Sequence, residues 1–459
     1  MSGPFAQSLR HPGRRSPSVL TRSFAQGCVI LMEETKRRVV VVGGGFGGMA
    51  FCGHFKKVAA AITIVDRRNH HLFQPLLYQV ATCGLAAPDI AEPIRSIFRH
   101  RPEITVLLGE VEGFDLGQRK LRLRNGDLDF DYLILATGSE TNYFGHPQWE
   151  EFAPGLKSLN DALTIRNRLL LAFERAENQK DPAERDRLMT FVIIGGGATG
   201  VELSGSFADL TRTVLNRDFR HINPAQSRII LIDSGPRVLA QFSPILSASA
   251  QHQLEKLGVQ VRCHTAVKDI RSGELELGTG EVIRAGNIFW AAGVSASPLN
   301  KELGVELDKD GRVKVKPDLS LPGHSNVFVI GDAAAVLEGD GKPVPGVSPA
   351  AMQMGKYVAE LIAEDIKSNV PITARPAFKY WDKGTMATIG RSAAVAQIGK
   401  VEFSGRTAWL AWLFTHLIFL IGFRNRVSVL SQWIYSYLFY KRSSRIITTP
   451  TPKEPLEKS

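Results

Sequence analysis

Residues 39–48 read VVVVGGGFGG, and residues 191–200 read FVIIGGGATG. Each stretch is a run of four large apolar residues that leads into three glycines, with a further glycine three positions later. Continuous apolar runs of this kind are typical of strands buried on both faces of a parallel sheet, and a glycine turn directly after the strand is where the helix of a βαβ unit begins. The sequence therefore predicts two copies of one supersecondary unit and an α/β fold.

The first turn has the spacing of a dinucleotide-binding site. Gly43, Gly45 and Gly48 form a Gly-x-Gly-x-x-Gly pattern, and Asp66 ends the next predicted strand. The glycines allow a tight turn and bring the helix N-terminus close to a pyrophosphate, while a carboxylate at the strand end accepts hydrogen bonds from a ribose. A glycine-rich turn without a ligand is the alternative.

The second turn repeats the pattern with Gly195, Gly197 and Gly200. Its candidate ribose-binding acid is Asp233, which ends the strand predicted at residues 228–232. The longer interval before this acid predicts an insertion around residues 213–226. An acid at this position favours a free 2′-hydroxyl and so NADH over NADPH, although the nearby Arg237 leaves that preference open.

Two dinucleotide sites in one chain indicate that one nucleotide donates electrons and the other, a bound cofactor, accepts them. We expect FAD in the first unit and NADH in the second, an arrangement suited to hydride transfer. Gly331 and Asp332 support this expectation, because they follow a predicted strand at residues 327–330 and the carboxylate is placed to hold a polyol hydroxyl at a helix N-terminus. A common Gly-Asp turn is the alternative for this pair.

The composition, the distribution of charge and the cysteines exclude several other classes of protein. The chain has 459 residues, of which 44% are hydrophobic and 22% charged, and this excludes a wholly disordered protein. The net charge of +11 is concentrated in residues 1–38 and 401–459, which argues against a nucleic-acid-binding face and favours contact of the two ends with an anionic surface. Four scattered cysteines without a Cys-x-x-Cys argue against a disulfide scaffold and against a metal site.

Three segments outside the two units are interpreted separately. Residues 1–35 are rich in Arg and Pro, and we interpret them as a disordered extension or a mis-set start before Met32, with a transit peptide as the alternative. A charged helix at residues 161–179 and a linker at residues 180–187 are predicted to separate the two units.

The order of these motifs resembles that of flavoproteins with two dinucleotide-binding domains, and most closely the type II NADH:quinone oxidoreductases, single-subunit NADH dehydrogenases that do not pump protons. The resemblance covers about residues 36–446. The stretches that carry it are NHHLFQPLLYQVATCGL at 69–85, ATGVELSG at 198–205, DFRHINP at 218–224, PAAMQMG at 349–355, YWDKGTMATIGR at 380–391 and IGFRNR at 421–426.

This resemblance implies a division of the chain into domains. It places a FAD-binding domain at residues 36–155 and 296–372, an NADH-binding domain at 156–295, a C-terminal membrane-anchoring region at 373–446 and a disordered tail at 447–459. NADH is then expected to reduce non-covalently bound FAD, and the reduced flavin to pass two electrons to a membrane quinone.

The resemblance also implies roles for individual residues. Thr137 and Gly138 are expected to contact the flavin, and Ala291 and Gly293 belong to a segment that lines the NADH pocket. Glu202 matches a glutamate near flavin and nicotinamide that handles quinone or protons. Its alternative role is pairing at the helix N-terminus.

Two further residues match the quinone end of the flavin. Gln353 matches a glutamine in the Ala-Met-Gln segment, and Lys383 matches a lysine of the same region. A polar contact to a quinone carbonyl would assist its reduction. The alternatives are that Gln353 caps backbone groups and that Lys383 is a surface charge.

Two apolar stretches near the C-terminus, at residues 409–423 and 427–440, are too short to span a bilayer as separate helices. The segment 424–426, Arg-Asn-Arg, joins them, and Lys441, Arg442 and Arg445 follow. We predict a helical pair lying in one leaflet with its cationic ends on anionic head groups. The aromatic residues expected at the membrane interface are Trp409, Trp412, Trp433, Tyr435, Tyr437 and Tyr440. A soluble core hairpin or a dimer interface is the alternative.

The leading prediction is therefore a peripheral NADH:quinone oxidoreductase on the cytoplasmic face of the inner membrane, with a homodimer left open. A disulfide reductase or a sulfide:quinone oxidoreductase needs a pair of cysteines at the flavin, and Cys83 has no partner near it in sequence, while Cys52 and Cys263 fall on a predicted core helix and strand. A related flavoprotein that reduces a soluble iron–sulfur carrier would have no membrane anchor, and the apolar stretches near the C-terminus argue against this alternative. A low-turnover NADH-sensing membrane protein is the alternative from another class.

Overall fold

A computed structural model of the chain describes residues 36–448 except 57, 216–217, 340, 369–374, 440 and 443. The extension predicted at residues 1–35 lies outside the described residues, as do residues 449–459 of the predicted tail.

The first sheet has six strands and contains the first apolar run. Five of them pair in parallel, and the short edge strand Ser320–Leu321 is antiparallel to its neighbour. The strand order is Ser320–Leu321, His324–Val329, Tyr132–Leu135, Arg37–Val42, Ala60–Asp66 and Ile104–Leu108. Residues 39–42 are all buried in the middle of this sheet, as their β-branched composition predicts.

The second sheet repeats this arrangement with four parallel strands. Their order is Val259–Arg262, Arg228–Ile232, Thr190–Ile194 and Asn287–Trp290. The inner strand Thr190–Ile194, which leads into the second glycine turn, is buried at every position. Both sheets therefore place the strand with the glycine turn between the strand that ends in the candidate acid and the strand that ends in Ala-Thr-Gly or Ala-Ala-Gly.

The duplication extends to the antiparallel additions. Each unit carries a three-stranded antiparallel sheet in the same place along the chain. The strands are Val111–Asp115, Lys120–Leu123 and Gly126–Asp129 in the first unit, and Val267–Arg271, Glu274–Leu277 and Val282–Arg284 in the second. A two-stranded ribbon, Ser139–Thr141 with Val294–Ala296, joins the two units where the chain crosses between them.

Short pairings complete the strands of the described chain. They are His70–Leu72 with Ala91–Pro93, Val313–Lys314 with Ala334–Ala335, and the C-terminal sheet Thr385–Thr388, Ala394–Ile398 and Val401–Ser404.

Helices cover the sheets and form the C-terminal region. The α-helices of the described residues are Phe46–His54, Leu77–Ala81, Ile94–Ile97, Trp149–Phe152, Leu159–Asn178, Pro182–Leu188, Ala198–Asp209, Pro244–Lys256, Ser348–Ser368, Arg406–Phe419 and Phe423–Phe439. The last two form an antiparallel pair that we call the C-terminal hairpin. Within the described part of the chain, none of these helices combines the length and the apolar character needed to cross a bilayer.

Three local predictions are wrong. The linker predicted at residues 180–187 forms the helix Pro182–Leu188, because Asp181 caps its N-terminus and Pro182 starts it. Gly331 and Asp332 begin a short 3₁₀ turn followed by a strand, so no α-helix starts at this pair. Residues 424–426 lie inside the second helix of the C-terminal hairpin, and the turn is formed by residues 420–422.

Candidate functional site

The first glycine turn is fixed by close backbone contacts. Gly43 has a φ of +107°, and a Cβ at this position would lie 2.3 Å from the carbonyl oxygen of Ala136. A Cβ at Gly48 would lie 1.9 Å from the carbonyl oxygen of Gly43. Any larger side chain would therefore push the helix away from the strand. Gly45, in contrast, has no atom within 4 Å of its Cβ position and caps a helix whose first N–H groups have no side-chain cap.

Asp66 ties this turn to the neighbouring strand end. Its Oδ2 accepts a hydrogen bond from the N–H of Gly44 at 2.6 Å, and its Oδ1 accepts one from the N–H of Arg68 at 2.7 Å. Each carboxylate oxygen has a second lone pair, so the same group can still accept a ribose hydroxyl. Asp66 thus has a structural role that the spacing argument did not predict.

The second turn has the same contacts. A Cβ at Gly195 would lie 2.6 Å from the carbonyl of Ala291, and one at Gly200 would lie 1.8 Å from the carbonyl oxygen of Gly195. Asp233 accepts hydrogen bonds from the N–H groups of Gly196 and Gly235 at 2.5 and 2.6 Å. Gly197 caps its helix without a side-chain hydrogen bond, as Gly45 does.

Gly293 and Arg237 lie near the second glycine turn and complete the description of this site. Gly293 follows Ala291 with a φ of +78° and packs against the ring of Phe144, which a Cβ would approach to 2.5 Å. Nη2 of Arg237 donates to the carbonyl oxygens of Ala240 and Phe242 at 2.9 and 3.2 Å, so this end of the guanidinium is engaged by the backbone.

A cavity of about 1000 Å³ opens in front of the first turn, at the upper end of the roughly 300–1000 Å³ usual for ligand sites. The predicted residues that line it are Gly43, Gly45, Asp66, Thr137, Gly138, Gly331 and Asp332. The Thr137 hydroxyl is buried and has no hydrogen-bond partner among residues 36–448 as described. The volume, the uncapped helix N-terminus and this orphaned hydroxyl fit a large phosphate-bearing nucleotide.

Glu202 lies one turn into the helix Ala198–Asp209, which begins at the second glycine turn. Its Oε1 accepts a hydrogen bond from the N–H of Thr388 at 3.3 Å. Burial raises the pKa of Glu202 to about 8, and the Thr388 hydrogen bond acts in the opposite direction. Glu202 keeps part of its surface accessible.

A residue that the sequence argument missed lies next to this carboxyl. The hydroxyl of Tyr78 is within 2.8 Å of the Thr388 hydroxyl, and Glu202 raises the pKa of Tyr78 further than burial alone does. Tyr78 belongs to the stretch at residues 69–85 that carried the resemblance, but nothing in its local sequence indicated this long-range pairing.

Gln353 and Lys383 meet at Trp381. The Gln353 amide donates to the Trp381 carbonyl at 2.9 Å and accepts from its N–H at 3.0 Å, which is the backbone-capping arrangement. The Lys383 ammonium lies 5.6 Å from the Trp381 ring and 5.4 Å from the Phe419 ring, within the range of a cation–π contact. Lys383 and Thr388 are five positions apart in the sequence, a span of at most about 18 Å. The structure therefore brings Gln353 and Lys383 together at Trp381. Glu202 lies at the other end of the strand Thr385–Thr388, where it contacts Thr388.

The described cysteines do not form a redox pair. Cys52, Cys83 and Cys263 are free, and Cys52 and Cys83 are fully buried. Burial raises the pKa of Cys83 to about 11, so its thiol is neutral at physiological pH.

The C-terminal hairpin presents an apolar outer face. Its exposed residues recur at helical spacing on both helices, and we call them the outer stripe: Leu410, Phe414, Ile418, Phe423, Val427, Leu430, Ile434 and Leu438. Trp412 and Trp433 are 1% and 6% exposed and pack against each other with ring centroids 5.8 Å apart. The prediction that these two tryptophans lie at a membrane interface is therefore wrong, because they face the protein core.

The inner face of the C-terminal hairpin is tied to the body by polar contacts. Asp89 accepts hydrogen bonds from Ser428 and Gln432, both at 2.7 Å, and the Trp433 indole N–H donates to the Gln79 side chain at 2.8 Å. The position of the hairpin on the body is therefore set by the protein itself.

The basic residues after the hairpin are also used within the chain. Arg442 forms a buried ion pair with Asp209 and donates to the carbonyl oxygen of Thr82 at 2.6 Å. Arg445 pairs with Asp218. The prediction that both arginines contact lipid head groups is wrong for this reason, whereas Lys441 is exposed.

Comparisons with known proteins agree with this geometry. Residues 37–355 match the family model described as pyridine nucleotide-disulphide oxidoreductase, and residues 382–442 match the NDH2 C-terminal domain. The chain is 44% identical over 425 residues to the type II NADH:quinone oxidoreductase Ndh of Mycobacterium tuberculosis, with 90% of each chain covered. It is 43% identical to NdhA of the same organism, again with 90% of each chain covered.

A solved structure shares the fold. The structure of NDH2 from Plasmodium falciparum in complex with NADH superposes with a TM-score of 0.81 at 20% identity, covering 89% of this chain and 99% of that one. The sequence identity over nearly the whole length and the two matching family models lead to one assignment. The chain belongs to the pyridine nucleotide-disulphide oxidoreductase family and, within it, to the type II NADH:quinone oxidoreductases.

Proposed function

We propose that this chain oxidises NADH and reduces a membrane quinone through a non-covalently bound FAD. The observation that carries this proposal is the duplicated glycine turn, which provides two nucleotide sites with matching contacts in one chain. When bound, the flavin accepts a hydride from NADH and delivers two electrons to the quinone. The protein supplies binding, orientation and a proton.

FAD is held by the residues of the large cavity. The uncapped helix N-terminus at Gly45 faces the pyrophosphate, and Asp66 accepts a ribose hydroxyl with its free lone pairs. Thr137 and Gly138 lie at the end of the neighbouring strand, where the Thr137 hydroxyl is available to form a hydrogen bond with the nucleotide. Asp332 completes the site as an acceptor for the polyol chain.

NADH is held by the second turn. Gly197 offers the uncapped helix N-terminus, and Asp233 is the acid at the ribose. Ala291 and Gly293 form the wall beyond the turn. Because Arg237 is engaged by backbone carbonyls, the carboxylate is the charged group that meets the 2′ position, and NADH is the preferred nucleotide.

Glu202 is the proposed proton carrier for the reaction. Burial raises its pKa to about 8, so the carboxyl is largely protonated at neutral pH and can give a proton to a group that gains electrons. Gln353 and Lys383, joined at Trp381, form the quinone side. In this arrangement Gln353 acts by holding the Trp381 loop, and Lys383 borders the C-terminal hairpin through Phe419.

The outer stripe is the proposed membrane contact. It leaves large apolar side chains in water, among them Phe414 and Phe423 at 69% and 83% exposure, which a soluble surface rarely does in one contiguous face. Arg406, Arg424 and Lys441 are exposed at the ends of the helices and suit anionic head groups. The protein then lies on the cytoplasmic face of the inner membrane, and quinone enters from the lipid while NADH enters from water.

The proposed domains follow the sheets. Residues 36–155 and 296–372 form the FAD-binding domain, since both segments contribute strands to the first sheet. Residues 156–295 form the NADH-binding domain around the second sheet, and residues 373–446 form the anchoring region.

Anaerobic titration tests the proposed function. Purified protein is expected to be yellow, to bleach when NADH is added and to recover its colour when a short-chain quinone follows. Bleaching without recovery would exclude quinone as the acceptor. A colourless protein that binds no flavin would overturn the proposal as a whole.

A further inference from the structure

The large cavity contains a partly buried cation that no sequence motif indicated. Lys157 lies just before the helix Leu159–Asn178, and its side chain lines the cavity. Its ammonium donates to the Ser139 hydroxyl at 3.1 Å, and Ser139 donates in turn to Oδ2 of Asp332 at 2.7 Å. The hydrogen bonds therefore run in one direction, from the ammonium to the carboxylate.

The backbone of Lys157 is fixed on both sides. Its N–H donates to Oδ2 of Asp161 at 2.9 Å, the same oxygen that accepts the Ser158 N–H in the capping box. Its carbonyl oxygen accepts a hydrogen bond from Gln74 at 3.3 Å. Because these contacts do not involve a ligand, the backbone of Lys157 is held in place before a nucleotide binds.

Lys157 has hydrogen-bonding capacity that the described chain does not use. Burial lowers the pKa of Lys157, while Asp332 acts in the opposite direction. Among the described residues, Ser139 is the hydrogen-bond partner of the ammonium, which leaves two of its three N–H groups for another acceptor. A partly buried ammonium with two free N–H groups is suited to bind an anionic oxygen.

The other cations of the cavity are placed differently. Arg67 and Arg68 lie at the end of the cavity near Asp66, and Arg67 pairs with Glu140 at 2.8 Å. Lys157 is thus the cation at the Asp332 end of the described lining. An anionic nucleotide that reaches Asp332 would meet the positive charge of Lys157 there.

We propose that Lys157 is a flavin-binding residue. Through Ser139 it holds Asp332 as the acceptor of a polyol hydroxyl, and its remaining N–H groups bind a phosphate oxygen of the same nucleotide. This inference rests on the proposed function, in which the cavity holds FAD. The carbonyl oxygen of Pro154, three positions before Lys157, accepts a hydrogen bond from the N–H of Trp290 in the second sheet. The second unit therefore takes part in retaining the flavin of the first.

The test measures how fast full-length holoprotein releases its flavin. Fluorescence of free flavin after dilution gives the release rate for wild type, K157M, K157R and the control K301M. Lys301 is exposed and sits in a turn whose neighbours line the cavity, so K301M changes the charge equally. We expect K157M to release flavin about tenfold faster, K157R to restore most of the retention, and K301M to behave as wild type.

Coupling to Asp332 separates this role from a merely structural one. If Lys157 acts through Ser139 on Asp332, the effects of K157M and D332N on the release rate will not multiply in the double variant. Multiplying effects, or wild-type release from K157M, would overturn the inference. Should K157M fail to fold, K157Q gives the same comparison. A wild-type protein without flavin would instead refute the proposed function.

Discussion

At the scale of single residues, the buried carboxyl of Glu202 is the group with the most direct consequence. Its surroundings offer one N–H donor, from Thr388, and no cation makes a contact with it among the described residues. A carboxyl in such a place holds its proton to higher pH than one in water. The sequence placed Glu202 correctly after the glycine turn but gave no indication of the Thr388 and Tyr78 groups around it.

Replacement of Glu202 with Gln should change how stability depends on pH. The folded-state pKa is raised to about 8 from the model-compound 4.5, so the folded protein binds more protons than the unfolded chain between these values. The stability contribution of Glu202 is therefore fully present below pH 4.5 and lost as pH rises towards 8, at about 1.4 kcal/mol per pH unit.

Urea unfolding across this pH range measures the difference. Relative to wild type, E202Q is expected to gain stability with rising pH and to level off above pH 8. The exposed Glu364→Gln is the control, because it removes an acid that the protein does not bury. Parallel pH profiles for wild type and E202Q would show that the carboxyl is ionised in the folded state.

At the scale of elements, the C-terminal hairpin is attached by one face and free on the other. Arg442 and Asp209 are each 9% exposed and lie 233 positions apart, so this pair connects the end of the hairpin to the helix that carries Glu202. A buried ion pair that loses one partner leaves the other charge uncompensated.

We expect R442M to lower the free energy of unfolding by about 3 kcal/mol. The neighbouring pair of Arg445 with Asp218 is more exposed, and R445M should cost less than about 1 kcal/mol. Thermal and urea unfolding of both variants provides the comparison. Equal losses would mean that burial of the first pair has no special effect, and addition of D209N to R442M should recover part of the loss.

The free face of the hairpin is tested by binding to vesicles. F414D places a charge in the outer stripe and should weaken binding to phosphatidylglycerol-containing vesicles by at least about tenfold. The matched control is I245D, since Ile245 is 75% exposed on a helix of the second unit. Reduction of a water-soluble quinone should persist in both variants. Unchanged vesicle binding of F414D would contradict the proposed membrane contact, and loss of a dimer in this variant would assign the stripe to self-association.

At the scale of the whole molecule, the two units are alike in architecture and, in the proposed function, bind different nucleotides. Asp66 and Asp233 occupy equivalent places and make equivalent backbone contacts. D66A is expected to release flavin, whereas D233A should stay yellow and raise the KM for NADH about tenfold. Flavin content by absorbance and steady-state kinetics distinguish the two. Loss of flavin from D233A would mean that the assignment of nucleotides to units is reversed.

The sequence predicted the sheets well and the contacts between distant segments poorly. The strand at residues 228–232 has the predicted bounds, because a strand buried on both faces leaves a continuous apolar run that stops at a turn. Lys157 and Arg442 could not be found in this way, since their partners are remote in sequence. Trp412 and Trp433 were placed on the wrong face because both faces of these helices are apolar.

The first sheet also determines when the protein can be completed during synthesis. Its strand Tyr132–Leu135 lies between Arg37–Val42 and His324–Val329, and the last of these emerges from the ribosome long after the other two. Until then the nascent first unit has an open sheet edge, and Asp332 has not yet been made. Insertion of the prosthetic group is therefore a late event in biogenesis, after translation of the entire second unit.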